Sequence, residues 1–128
     1  METTGLNHII LTVSNAERSR SFYQDLLGFE AVVLEEGPDG GFMVTSGGVM
    51  VFFYASCHPI EGDRFNEFRI GLDHLSFNIT SREELDQLAE KLIQAGVDTQ
   101  GVEQFAPTGN WYVAFRDTDN IQLEYWLS

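Results

Sequence analysis

The stretch Asn7–Val13 (NHIILTV) recurs 66 residues later as Asp73–Ile79 (DHLSFNI), and this recurrence is the main indication of the fold. Each stretch leads into a helical pattern that ends at a glycine, which is Gly28 in the first copy and Gly96 in the second. Self-similarity at a fixed spacing is typical of a repeated supersecondary unit. The sequence therefore predicts two copies of one unit, each of which begins with a strand and a helix.

Helix signals are present in both copies. In the second, Ser81 stands three residues before Glu84 in a capping-box pattern, and apolar residues then recur at helical spacing: Leu85, Leu88, Ala89, Leu92 and Ile93. In the first, Asn15 can cap a helix whose apolar stripe is Phe22, Tyr23, Leu26 and Leu27. We expect both helices to pack on a core.

Residues of strand character follow each helix, at 31–34, 42–45 and 49–54 in the first copy and at 111–116 and 121–127 in the second. Turn-forming residues separate them at 37–41, 47–48 and 117–120. We therefore predict an α+β fold of two βαβββ modules in a single domain, residues 1–128. Module 1 spans about 5–55 and module 2 about 72–127, and the segment 56–71 is a connecting loop or a substrate-covering lid.

Composition excludes several classes of protein. The chain has 128 residues, of which 43% are hydrophobic, so it can fill the core of one domain. Its net charge of −13 disfavours nucleic acid and anionic membranes as partners, and its longest apolar run, 49–55, is too short to span a bilayer. The single cysteine, Cys57, supports neither a disulfide framework nor a zinc ribbon. We expect a cytoplasmic protein.

Three residues carry candidate chemistry. His8 and His74 occupy equivalent positions on the more polar faces of the two repeated strands, and Glu124 lies in the last strand. A carboxylate in such a strand faces solvent, pairs with a cation or binds a metal, because its burial alone is costly. Two imidazoles and one carboxylate suit a divalent ion and leave coordination positions open. The pattern thus predicts one divalent metal ion: Fe(II), Mn, Ni, Co or Zn.

Two motifs give the chain a resemblance to a known family. The helix end Phe22–Phe29 (FYQDLLGF) and the approach to the last strand, Asp117–Glu124 (DTDNIQLE), resemble the vicinal oxygen chelate superfamily. This superfamily groups glyoxalase I, extradiol dioxygenases, fosfomycin-resistance thiol transferases, methylmalonyl-CoA epimerase and bleomycin-binding proteins. The resemblance implies a half-open β-barrel of two βαβββ modules, metal ligands at His8, His74 and Glu124, and a homodimer.

The resemblance leaves the reaction open. When Gly48 is overlaid on Asn120, Phe52 stands opposite Glu124, and a one-residue slip puts Val51 there. Neither residue can supply the fourth ligand that glyoxalase I and the epimerase use, which disfavours a glyoxalase-like lyase. The fosfomycin-resistance enzymes need a hydroxyl two residues after the first histidine, where this chain has Ile10, and cationic side chains for the phosphonate, whereas this chain has a single lysine.

We therefore place dioxygenase-like chemistry ahead of lyase or thiol-transferase chemistry, with a metal-free drug-binding protein of the bleomycin-resistance kind as the alternative. The expected substrate is a small molecule that chelates the metal through adjacent oxygens. The residues that share the ligands' strand faces predict the pocket: Met50, Phe52, Gln122 and Trp126. By resemblance to extradiol dioxygenases, the candidate acid–base residues are His58, Tyr54 and Tyr112.

Overall fold

A computed structural model describes residues 1–35 and 40–128 of the chain. The chain forms two compact units, Met1–Asp63 and Arg64–Ser128. The boundary between them falls within the predicted connecting segment 56–71. Residues 37–39 of the predicted turn at 37–41 lie outside the described residues. None of the helices in the described ranges is long and apolar enough to cross a membrane.

The first unit is a four-stranded sheet with one short helix. Its elements are β1 (His8–Val13), α1 (Ala16–Ser21), a π-helical turn (Phe22–Leu26), β2 (Val32–Leu34), β3 (Gly41–Ser46) and β4 (Val49–Ala55). The strands are ordered β1-β4-β3-β2. Strand β1 runs parallel to β4, and the other two pairs are antiparallel.

The second unit repeats this arrangement. Its elements are β5 (Leu75–Ile79), α2 (Arg82–Gln94), β6 (Thr99–Phe105), β7 (Asn110–Arg116) and β8 (Gln122–Leu127). The order is β5-β8-β7-β6, again with the first strand parallel to the last. The predicted pair of βαβββ modules is thus confirmed.

Each sheet buries one face and leaves the other open. In the first unit Tyr23 packs against Phe53, and Phe53 stacks on Phe42 with ring centroids 4.4 Å apart. In the second unit Leu85 and Leu92 of α2 are fully buried, as are Val113 and Leu123 of the sheet. The side chains that alternate with these core residues point to the opposite face, where the candidate ligands lie.

Predicted caps of both helices are confirmed. The Asn15 side chain accepts a hydrogen bond from the backbone N–H of Arg18, and Ser81 Oγ accepts one from that of Glu84. Gly28 and Gly96 adopt left-handed conformations, with φ of 82° and 74°, just beyond the helix ends. The first helix, however, widens into a π-helical turn from Phe22 onward.

Two sequence-based expectations were wrong in detail. No strand is expected at β6 (TQGVEQF), because this segment is polar and contains Gly101, which lies at a register shift between Thr99 and Val102 with a φ of 75°. Ile93 was assigned to the apolar face of the second helix, yet it is 58% exposed. It stands at the edge of that face, in the last turn, beyond the buried Leu92.

Because Gly41 has no side chain, the ring of Tyr54 can pack directly against its backbone. A Cβ at this position would lie 2.6 Å from the carbonyl oxygen of Phe53 and 2.6 Å from Cδ1 of Tyr54. Because one of these neighbours is backbone, Gly41→Ala should destabilise the protein by about 1–3 kcal/mol, which urea denaturation can measure. Ser46→Ala, at the other end of the same strand, is the control and should stay within about 0.5 kcal/mol of wild type. Equal stability of Gly41→Ala and wild type would contradict this packing.

Candidate metal centre

A tight turn between β7 and β8 sets the register of the candidate carboxylate. The buried carboxylate of Asp117 accepts hydrogen bonds from the backbone N–H groups of Asp119 and Ile121, at 2.8 and 2.9 Å. This turn falls at the predicted 117–120. Strand β8 then pairs with β5 so that Glu124 lies beside Ser76, two residues after His74. The carboxylate of Glu124 is thereby brought to the open face of the second sheet.

The second unit brings two of the three predicted ligands together. Nε2 of His74 lies 3.3 Å from Oε2 of Glu124, with the His74 side chain 36% exposed and that of Glu124 13%. Two donor atoms that share one divalent ion at about 2.0–2.2 Å lie roughly 2.8–3.6 Å apart at the usual coordination angles. The observed separation fits two ligands of one ion, and it also fits an ion pair with a protonated imidazole. Within residues 64–128, all of which are described, no third His, Cys, Asp or Glu completes a metal-binding group.

Each candidate histidine is held by the residue that precedes it. Nδ1 of His74 lies 2.6 Å from Oδ1 of Asp73, and Nδ1 of His8 lies 2.7 Å from Oδ1 of Asn7. In the sequence, neither Asn7 nor Asp73 belongs to the predicted ligand set. The signal that could have revealed their role is a side-chain oxygen directly before the histidine in both repeats.

The first unit differs from the second at the position of the carboxylate. His8 initiates β1, and Ile10 pairs with Phe52 as Ser76 pairs with Glu124. Phe52 therefore occupies the place of Glu124, and the slipped alternative, Val51, is buried on the opposite face. The His8 ring meets the Phe52 ring edge to face, with centroids 5.6 Å apart. An apolar contact thus replaces the imidazole–carboxylate contact of the second unit.

The predicted pocket residues lie on the same open faces as the predicted ligands of their own units. In the first unit Met50 pairs with His8, and Phe52 stacks parallel to Tyr54 with centroids 6.3 Å apart. In the second, Gln122 and Trp126 flank Glu124 along β8. His58 is exposed in the segment that follows β4, where its backbone N–H donates to Ser56 Oγ.

An aromatic row borders Glu124 on the second sheet. Trp126 stacks on Tyr112 with centroids 5.3 Å apart, and Phe105 packs at an angle against Trp126, with centroids 5.5 Å apart. Burial raises the pKa of Tyr112, and the charges of Glu103 and Glu124 raise this pKa further. The Tyr112 hydroxyl, which also hydrogen-bonds Glu103, is therefore held in its protonated form at neutral pH, where it is a hydrogen-bond donor.

An ion pair ties the segment before β5 to the sheet. The Arg116 guanidinium donates two hydrogen bonds to the Glu67 carboxylate, at 2.7 and 2.8 Å. Such bidentate, charge-assisted pairs are stronger than neutral hydrogen bonds. Arg116 belongs to β7, where it pairs with Gln122. Sequence reasoning missed this pair, because 49 residues separate its members and neither lies in a motif.

Comparison with known proteins defines the class and then the family. The two βαβββ units match those of a glyoxylase/bleomycin resistance protein/dioxygenase domain from Frankia sp. EAN1pec, with a TM-score of 0.84 and 32% identity over 99% of this chain and 93% of that one. The profile of the Glyoxalase/Bleomycin resistance protein/Dioxygenase superfamily matches residues 5–125. The chain belongs to this superfamily, as the resemblance of its motifs implied.

Two curated relatives extend the comparison. The metallothiol transferase FosB of Shouchella clausii is 31% identical over 121 residues, which cover 94% of this chain and 77% of that protein. The uncharacterized protein YwkD of Bacillus subtilis is 27% identical over 123 residues, 93% of each chain.

The Glu67–Arg116 pair predicts a pH-dependent contribution to stability. Its hydrogen bonds to Arg116 lower the pKa of Glu67 from 4.5 to about 2. A carboxyl whose folded pKa is lowered stabilises the folded state above its unfolded pKa, and this stabilisation is lost as pH falls from 4.5 towards 2. Glu67→Gln should therefore be less stable than wild type at neutral pH, and urea denaturation should show the difference shrinking in acid. The exposed Glu90→Gln is the control, and a Glu67→Gln difference that did not vary with pH would contradict this role.

Proposed function

We propose that the protein is a metal-dependent enzyme whose substrate is a small molecule that chelates one divalent ion through adjacent oxygens. His8, His74 and Glu124 are the proposed ligands. The observation that carries the proposal is the 3.3 Å separation of His74 Nε2 and Glu124 Oε2 on an open sheet face, with Nδ1 of the same ring held by Asp73. The equivalent position and equivalent Nδ1 contact of His8 support its inclusion.

The donor set fits the group. Imidazole nitrogen and carboxylate oxygen together suit Fe(II), Mn(II), Ni(II), Co(II) and Zn(II), and a set of three leaves coordination positions open to substrate. When bound, such an ion supplies a Lewis acid for charge that develops on the substrate oxygens.

The chain's own residues supply the remaining chemistry. Trp126, Tyr112 and Phe105 form an apolar wall beside Glu124 that can contact a flat substrate and keep water from it. The protonated hydroxyl of Tyr112 can exchange its hydrogen bond to Glu103 for one to a substrate oxygen. Gln122, on the same face of β8, can provide a neutral polar contact.

Within this class, dioxygenase-like chemistry remains the first candidate. Two histidines and one carboxylate with open positions are typical of non-haem Fe(II) oxygenases. The apolar wall suits a planar aromatic substrate with neighbouring hydroxyls. Phe52 at the place of Glu124 disfavours a glyoxalase-like lyase, because it can neither bind a metal nor accept a proton.

Metal-dependent thiol transfer is the second candidate, and the 31% identity to FosB favours it. Three of the four arginines in the second unit are already engaged, which disfavours an anionic substrate: Arg116 binds Glu67, Arg82 binds Asp86, and Arg64 donates to Asn120. Oxygen uptake with catechols and thiol consumption with an electrophile distinguish the two candidates. If no ion binds, the favoured function is that of a metal-free drug-binding protein.

We expect the dialysed protein to bind about one divalent ion per chain. His74→Ala and Glu124→Gln should each weaken binding by more than the roughly 10–100-fold that loss of a supporting residue costs, because each removes a donor atom. Titration with Co(II), Zn(II), Ni(II) and Mn(II), and with Fe(II) under anaerobic conditions, measures the affinity. The tightest ion should also raise the free energy of unfolding, by about 2.7 kcal/mol at 100 times its Kd.

Matched controls separate specific from adventitious binding. Glu90→Gln removes an exposed carboxylate of α2, and His58→Ala removes the remaining histidine; both should retain the wild-type affinity. Equal affinities of wild type, His74→Ala and Glu124→Gln would contradict the metal site. The metal-free drug-binding protein would then be the favoured function.

We also propose that the protein is a homodimer. Support comes from the segment before β5, where Phe68 is 91% and Ile70 fully exposed, since large exposed apolar side chains indicate a contact surface. Sedimentation equilibrium should give the mass of two chains. Phe68→Ser with Ile70→Ser should shift the equilibrium towards monomer, whereas Ile93→Ser, also exposed but on α2, should not. A monomeric wild type would overturn this proposal.

A further inference from the structure

The contacts of the two candidate histidines with their preceding residues have a consequence for which ring nitrogen carries the proton. An ionised carboxylate and an amide oxygen are acceptors only, so the ring nitrogen that faces them must be the donor. Nδ1 of His74 faces Asp73, and Nδ1 of His8 faces Asn7. In a neutral ring this leaves the lone pair on Nε2, the nitrogen that a metal would bind.

The proton of a neutral His74 has two possible acceptors. Asp73 Oδ1 is 2.6 Å from Nδ1, whereas Glu124 Oε2 is 3.3 Å from Nε2. The shorter contact is the stronger hydrogen bond, which favours the proton on Nδ1. If it resided on Nε2 instead, the imidazole would donate to Glu124 and offer no lone pair there.

We infer that Asp73 and Asn7 are positioning residues that hold His74 and His8 in the Nδ1–H tautomer and present each Nε2 for coordination. The inference rests on the proposed function, because the tautomer serves coordination only if Nε2 binds a metal. The tautomer itself is a property of the metal-free protein. Asp73 has the more demanding role, because it alone competes with a carboxylate at the other ring nitrogen. The His8 ring instead meets the apolar Phe52.

The test is long-range ¹H–¹⁵N correlation of the histidine rings in metal-free protein, at a pH where the rings are neutral. Wild-type His74 should show a protonated Nδ1 and an unprotonated Nε2. In Asp73→Ala the proton should move to Nε2, towards Glu124, whereas Asp73→Asn retains an acceptor oxygen and should keep the wild-type tautomer. The His58 signals serve as an internal reference in every sample.

Metal titration of the same variants supplies the second readout. Asp73→Ala should lose about 10–100-fold in affinity, Asn7→Ala should lose an amount near the lower end of that range, and Asp73→Asn should recover most of the loss. Circular dichroism and urea denaturation establish that each variant folds.

The outcomes separate this inference from the proposed function. An Nε2–H tautomer of His74 in the wild type, or an unchanged tautomer in folded Asp73→Ala, would overturn the inference. Failure of the wild type to bind any metal would overturn the proposed function, and the tautomers would then still decide whether Asp73 and Asn7 hold the rings.

Discussion

The parallel pairing of the first and last strands of each unit is the constraint on which the candidate site depends. Because β5 and β8 run side by side in one direction, the residue two positions after His74 lies beside Glu124. Side chains alternate strictly along a strand, so a shift of one residue would turn the carboxylate to the helix-covered face. The Asp117 turn and the buried core residue Leu123, both of which precede Glu124, fix this register.

The same scaffold carries different chemistry in its two copies. Both units present a histidine at the start of the first strand and an acceptor oxygen behind it, but the second pairs its histidine with a carboxylate and the first with a phenyl ring. A carboxylate near an imidazole attracts a cation, whereas a phenyl ring offers shape and apolar surface. The second unit thus places a carboxylate beside its histidine, whereas the first places an apolar ring there. This division follows from a single position, Phe52 against Glu124.

Much of this could be predicted from the sequence, because the signals are local or repeated. Capping residues, glycines beyond the helix ends and alternating strands are each encoded within a few residues, and the 66-residue repeat of Asn7–Val13 in Asp73–Ile79 gave the equivalence of the two modules. Strand β6 escaped, since its polar side chains and Gly101 show no alternation. The Arg116–Glu67 pair escaped because no sequence rule links residues 49 positions apart. The set of metal ligands, His8, His74 and Glu124, stays a prediction. The contact between His74 and Glu124 is the part of this set that lies within one unit.

In the turn that precedes β8, Asn120 combines a strained backbone with a side chain that contacts a distant segment of the chain. Asn120 adopts a left-handed conformation, with a φ of 67°, in which glycine is usually preferred. Its amide donates to the carbonyl oxygen of Phe65, and its side-chain oxygen accepts from Arg64, each at 2.9 Å. A redesign that sought only backbone relaxation would place glycine here and sever both links. The Asn120 side chain therefore joins this turn to the segment before β5, at the expense of local backbone ease.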